Sequence, residues 1–247
     1  MNKLYNISLI EFKLLTRNFM SIFFALVFPV MMLLLFGSMY GNEPSDFYNG
    51  KGMVDASIPG YIAMIAAVTG LMSLPLTVAL YRERKILKRF EASPINAVDV
   101  LFSQVIVNFI LTVIGMGILI VIGKLVFDLH FFGQILPAMI SFLLIVLSMF
   151  SLGLLIAGIS PNGKAATTIA YLVYFPMLFL SGTIMPIEIM PQTVKNIASI
   201  LPLTYGVHLF RGVWLGDSIS NYSGDIIVLL LFFIVCTAIS IKAFKWE

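Results

Sequence analysis

The chain has 247 residues, of which 60% are hydrophobic and 11% are charged. Soluble domains carry roughly 45–50% apolar and about 25% charged residues. The composition therefore excludes a disordered chain and argues against a soluble enzyme. The formal net charge of +3 is too small to indicate a nucleic-acid-binding surface. Because the charges are clustered between long apolar runs, we expect one membrane domain that occupies residues 1–247.

Six apolar runs between the charged clusters predict six transmembrane helices. Each is about as long as a membrane-crossing helix, and none shows the strict apolar–polar alternation of membrane β-strands. We therefore predict an all-α integral membrane protein. The predicted spans are residues 19–40, 58–81, 100–123, 134–159, 165–185 and 226–241.

The basic residues predict the orientation of these spans. Six spans place both termini on one side, and Lys and Arg favour the cytoplasmic side. With both termini in the cytoplasm, 11 of the 15 basic residues are cytoplasmic, so we predict a multi-pass protein of the cell membrane in this orientation. The four basic residues left outside are Lys51, Lys124, Lys195 and Arg211.

The first two polar segments have different patterns. Residues 1–18 place basic residues on one side of a helical wheel and apolar residues on most of the rest, although Ser8 and Glu11 interrupt the apolar face. This pattern favours an interfacial helix over a merely charged N-terminal flank. Residues 41–57 form a polar outer loop, for which we expect solvation and no chemistry.

The largest cytoplasmic loop begins with the charged segment 82–94. No Gly or Pro precedes Pro94, so a short helix can form there, with an apolar stripe of Ile86, Leu87 and Phe90. A charge cluster that only sets topology is the plain explanation. The apolar stripe between charges favours a helix that docks on a partner protein or on the membrane surface.

Residues 186–223 are expected outside, yet they are rich in apolar residues and interrupted by Pro186, Pro191 and Pro202. Irregular backbone at membrane depth is tolerated only where protein or water covers it. We predict short outer helices between the fifth and sixth spans. A re-entrant course and an ordinary interfacial loop both remain open.

The sequence offers no evident site for catalysis, metal or cofactor. Residues 158–164 match the spacing of a phosphate-binding P-loop, but Ala165 stands where Ser or Thr should follow the lysine. His130 and His208 lack partners at metal-ligand spacing. Ion-coupled carriers usually hold charged residues inside the membrane, and the predicted span interiors contain none. A pore without an energy source of its own, or a transporter powered from outside its own chain, therefore fits better.

Two segments resemble the membrane permeases of type-2 ATP-binding-cassette (ABC) transporters. Residues 82–94 are similar to the family's cytoplasmic segment between the second and third spans, with Lys85-Ile86 where many members have Gly-Thr. Residues 180–191, Pro-Leu-Thr-Tyr at 202–205 and the downstream Arg211 resemble the family's stretch after the fifth span.

This resemblance implies a half-transporter that is not itself an enzyme. Two permease chains, as a homodimer or a heterodimer, would pair with two cytoplasmic ATPase subunits that carry the ATP and Mg. Residues 1–18 would be a connecting helix, and two groups of residues would have functional roles. The ATPase-coupling group is Arg82, Glu83, Arg84, Ile86, Leu87, Arg89, Phe90 and Glu91. The outer gate is Pro186, Glu188, Pro191, Pro202 and Tyr205.

The expected function is export of an amphiphilic substrate, such as a drug, antibiotic, peptide or lipid, because the spans offer apolar and hydroxyl surfaces without fixed charges. ABC-type sodium extrusion and an ion-coupled secondary transporter are the alternatives.

Overall fold

The structure, a computed structural model, describes residues 3–45, 50–86, 97–184, 187 and 190–243. This part of the chain contains no β-strand and folds into nine principal helices. They are α1 (Lys3–Leu15), α2 (Phe19–Tyr40), α3 (Met53–Glu83), α4 (Ala97–Phe127), α5 (Ile135–Ile159), α6 (Gly163–Leu180), α7 (Gln192–Ala198), α8 (Pro202–Trp214) and α9 (Ser223–Ala243).

Within the described ranges, six helices are long and apolar enough to cross a membrane: α2 to α6 and α9. The prediction of an all-α membrane fold with six spans is confirmed. We call the side that holds α1 and the α5–α6 turn the terminal side. The opposite side holds the described residues 41–45, 50–52, 128–134, 181–184, 187 and 190–222.

Helix α3 forms the centre of the bundle. Its residues from Val54 to Val68 are all buried, and it packs against α2, α4, α5 and α8. Glycine and alanine let neighbouring backbones approach closely in membrane bundles. Where α3 widens into a π-helical turn at Thr69–Ser73, Gly153 of α5 faces the Gly70 carbonyl with no room for a side chain.

Helix α8 begins inside the bundle and ends at the opposite side. A Cβ atom on Gly206, near its start, would meet Ile145, which lies ten residues, or about 15 Å, into α5. At its other end, the Trp214 carbonyl accepts a hydrogen bond of 3.2 Å from the Phe132 amide. Between the two alternatives left open for this stretch, the described part of the chain has the re-entrant course.

Helix α6 is shorter than the predicted fifth span, which was residues 165–185. It ends at Leu180, because the chain then turns through Gly182, whose φ of +74° lies in the left-handed region. Glycine adopts this conformation without strain. The apolar residues after the turn therefore belong to the re-entrant part and not to the span.

The tight contact of α3 with α5 gives a first prediction. We expect Gly153→Ala to lower the free energy of unfolding by roughly 1–3 kcal/mol, since the added methyl overlaps the Gly70 carbonyl oxygen. The control is Gly117→Ala in α4, where an added Cβ meets nothing within 4 Å and helix propensity improves. Titration of the purified protein with SDS in mixed micelles measures both. Equal effects would contradict the proposed packing.

Candidate coupling and exit sites

A buried carboxylate attaches α1 to the spans. Glu11 is 7% exposed, and its Oε2 accepts a hydrogen bond of 2.7 Å from the Tyr81 hydroxyl near the end of α3. Ile7 and Leu15, one turn before and one turn after it, are buried on the same face of α1. Glu11, which the sequence pattern treated as an interruption of the apolar face, is therefore a contact between α1 and α3.

Burial raises the pKa of the Glu11 carboxyl above its ordinary value of 4.5, and the hydrogen bond from Tyr81 offsets part of that rise. The protonated form is thus favoured by folding. Its stabilising contribution is fully present below pH 4.5 and is lost as pH rises through the raised pKa.

We therefore expect the melting temperature of the wild-type chain to fall from acidic to neutral pH by more than that of Glu11→Gln. The glutamine keeps an acceptor for Tyr81 but carries no charge. Thermal unfolding in detergent across this pH range measures the difference. The exposed Glu43 provides the control Glu43→Gln, which should follow the wild-type profile. Parallel profiles for Glu11→Gln and wild type would refute the assignment.

The end of α3 holds the ends of two other spans. Arg82 Nη1 donates to the Gly158 carbonyl at the C-terminal end of α5, at 3.3 Å. Glu83 Oε2 accepts from the Gly163 amide, the first residue of α6, at 2.8 Å. A cation at a helix C-terminus and a carboxylate at a helix N-terminus both match the helix dipoles. Consecutive residues of α3 thereby fix α5 and α6 together.

The chain turns sharply after α3. Lys85 has a φ of +55°, and its amide donates to the Arg82 carbonyl at 2.9 Å. The short helix predicted within segment 82–94 therefore does not continue unbroken from α3, because the turn at Lys85 separates Arg82 and Glu83 from Ile86. Lys85 occupies the position where many members of the resembled family carry glycine. Its left-handed backbone is the conformation that glycine adopts most readily.

Replacing Lys85 with glycine should thus raise the free energy of unfolding by about 1 kcal/mol, since a left-handed conformation costs an L-residue roughly that much. Arg84, the preceding residue, has a φ of −81°, so Arg84→Gly should bring no such gain. SDS titration in mixed micelles compares the two variants. A loss of stability in Lys85→Gly as large as in Arg84→Gly would contradict this explanation.

The predicted coupling group is thus described in part. Arg82 and Glu83 contact α5 and α6 of their own chain, and Arg84 and Ile86 lie at the turn. The remaining four residues lie outside the described residues: Leu87, Arg89, Phe90 and Glu91.

On the opposite side, a second buried carboxylate joins three spans. Asp55, in the first turn of α3, is 2% exposed. Its Oδ1 accepts from the Asn42 side-chain amide at 2.9 Å and from the His130 backbone amide at 2.8 Å. The Asn42 side-chain oxygen accepts in turn from the Asp55 amide at 3.0 Å. The expectation of a solvated loop is therefore wrong for Asp55, because helix ends inside a bundle need such polar partners.

One predicted outer gate residue, Tyr205, lies beside a cavity whose wall includes polar and charged residues, which we call the polar cavity. The cavity measures about 170 Å³ and opens between the end of α6, α7, α8 and the start of α9. Tyr205 lines it and donates from its hydroxyl to the Ser199 carbonyl at 2.6 Å. Pro191 is the N-cap of α7, and Pro202 is the first residue of α8. Pro186 and Glu188 lie outside the described residues.

Charged side chains surround this cavity. Arg211 Nη2 donates to the Gly182 carbonyl at 2.6 Å, and His208 Nδ1 lies 2.7 Å from Asp225 Oδ2. Lys195 is also in the wall. The arrangement can hold a polar or charged group at the level where the re-entrant chain meets the spans. The sequence pattern assigned no role to His130 or His208. His208 and Asp225 are 17 residues apart, so no local pattern indicated their contact.

A larger cavity of about 430 Å³ lies between α4, α5 and α8. Its wall consists of apolar side chains, including Phe142, Phe210 and Trp214. The ring centroids of Phe142 and Phe210 are 6.4 Å apart, and those of Phe210 and Trp214 are 5.9 Å apart. Such a wall suits a hydrocarbon group, because it provides dispersion contacts and no fixed polar partner.

Comparison with known proteins places these features in context. Residues 3–215 match the family model described as "ABC-2 type transporter". The chain is 25% identical over 190 residues to "Probable multidrug ABC transporter permease YbhS" of Escherichia coli, covering 76% of this chain and 49% of that protein. It is 24% identical over 161 residues to the YbhR permease of the same organism, covering 65% of this chain and 44% of that protein.

A further relative is the "Putative transport permease ycf38" of Cyanophora paradoxa. It is 24% identical over 229 residues, covering 88% of this chain and 79% of that protein. The chain thus spans about half the length of the two Escherichia coli relatives but most of this one.

Proposed function

Because the chain belongs to the ABC-2 type transporter family, we propose that it is the permease half of an exporter driven by ATP hydrolysis on separate cytoplasmic subunits. Two permease chains, identical or related, would form the membrane part, with an ABC ATPase bound to each. The names of the Escherichia coli relatives, which describe multidrug ABC transporter permeases, support this proposal.

The observation that carries the proposal is the pair of hydrogen bonds that Arg82 and Glu83 make to neighbouring helix ends. These residues end the central helix α3 and hold the ends of α5 and α6. The segment that follows is the one we propose to dock on the ATPase, through Ile86, Leu87 and Phe90. A displacement of this segment would move α3, α5 and α6 jointly, because rigid packed helices transmit displacements rather than absorb them.

Helix α1 would act as the connecting helix of this arrangement. Tyr81, which donates a hydrogen bond to Glu11, directly precedes Arg82 and Glu83 in the chain. Helix α1 would therefore follow the same displacement. We propose that both termini are cytoplasmic, which the distribution of the basic residues supports. The ATPase would then approach from the side that bears α1 and the coupling segment.

We propose that the cargo is an amphiphile, such as a drug, antibiotic, peptide or lipid. Support comes from the two cavities, one lined by aromatic and aliphatic groups and one bordered by charges. Ion-coupled transport and ABC-type sodium extrusion are less well supported, because the Asp, Glu, Lys and Arg residues of the six described spans lie near span ends.

The substitution Phe90→Asp tests the coupling assignment. It places a charge in the proposed apolar stripe, so we expect loss of the ATPase subunit from the purified complex and loss of substrate-stimulated ATP hydrolysis. The assay uses the chain expressed together with an ABC ATPase that co-purifies with the wild-type permease. Retention of the ATPase subunit together with normal export would refute the assignment.

The matched control is Phe132→Asp. It makes the same change on the opposite side, at a phenylalanine that is 46% exposed, and it should leave the complex with the ATPase intact. Dissociation in both variants would indicate a general loss of folding and not a docking defect. A melting curve of each permease variant alone separates the two cases.

A further inference from the structure

Among the described residues, the wall of the polar cavity beside α7 and α8 holds two cationic side chains and one carboxylate. Lys195 and Arg211 line it and are half-buried, while Asp225 is the acidic residue in its wall. The Asp225 carboxylate already lies 2.7 Å from the His208 ring. Charges in such a partly buried place act more strongly than on an open surface, because the local dielectric constant is lower.

A buried hydroxyl in the same wall has no partner in the described protein. Ser181 follows α6, lines the cavity and is 1% exposed, and its Oγ makes no hydrogen bond within the described part of the chain. A buried polar group without a hydrogen bond is costly. A bound oxygen anion would supply an acceptor for this hydroxyl, and hydrogen bonds to charged acceptors are the stronger kind.

We propose that this cavity binds an anionic oxygen group, a phosphate or a carboxylate, with Lys195 and Arg211 as its charge partners and Ser181 as a hydrogen-bond donor. The same chemistry is offered by the head group of an anionic amphiphile and by a free anion. A role for the site in releasing cargo rests on the proposed export function, whereas binding itself does not.

The experiment is calorimetric titration of the full chain in a neutral detergent. The probes are dihexanoyl phosphatidylglycerol, which is anionic, dihexanoyl phosphatidylcholine, which is zwitterionic, and inorganic phosphate. We expect the anionic lipid to bind about tenfold more tightly than the zwitterionic one. Lys195→Gln and Ser181→Ala should each weaken binding of the anionic lipid, by about tenfold for the lysine, the usual effect of one charge-assisted hydrogen bond.

The control is Lys124→Gln, also on the opposite side. Lys124 is exposed and paired with Asp128 at 2.6 Å, outside the cavity, so its loss should leave the affinity unchanged. Arg211 is unsuitable as the test position, because its bond to Gly182 also holds the turn after α6.

Competition identifies the source of the anion. If inorganic phosphate displaces the lipid, the site recognises the anion alone; if it does not, the site recognises the anionic head group of an amphiphile. Equal affinity for the two lipids, or equal effects of Lys195→Gln and Lys124→Gln, would overturn the proposal. Because no ATPase subunit takes part, such a failure would leave the proposed export function untouched.

Discussion

Helix ends inside or beside a bilayer must find partners for their free N–H and C=O groups, and most of this fold follows from that requirement. Four charged residues of the described chain serve this purpose. Arg82 and Glu83 hold the ends of α5 and α6, Arg211 holds the turn after α6, and Lys51 donates to the Leu215 carbonyl after α8. Each of these bonds joins segments that are distant along the chain.

The same requirement explains why the two buried carboxylates are placed where they are. Asp55 lies in the first turn of α3, where its own helix end and the ends of α2 and α4 converge. Glu11 of α1 accepts a hydrogen bond from Tyr81 near the other end of α3. The central helix is therefore fixed by polar contacts at both ends. Between them it packs through small residues and apolar side chains, and the hydroxyls of Thr69 in α3 and Thr112 in α4 share a buried hydrogen bond of 2.8 Å.

The sequence was sufficient to predict the spans but insufficient to predict the contacts that hold them to one another. Apolar runs between charges are visible locally, so the number of spans and the helical class could be predicted. Glu11 and Asp55 were misread because their partners, Tyr81 and His130, are 70 and 75 residues away. The re-entrant course of α8 depends on packing against α3, α5 and α9, which no local pattern contains. The coupling roles of Leu87, Arg89, Phe90 and Glu91 stay predictions.

The short length of α6 has a consequence for the surrounding lipid. Its 18 residues span about 27 Å, somewhat less than the roughly 30 Å of a typical hydrocarbon core. A helix shorter than the bilayer draws the lipid surface inward or brings polar groups to meet it. Beyond its end lies the polar cavity instead of more apolar helix. A bilayer that matched the length of this helix would be thinner beside it than elsewhere, and a thinner layer would lower the barrier for a polar group that crosses there.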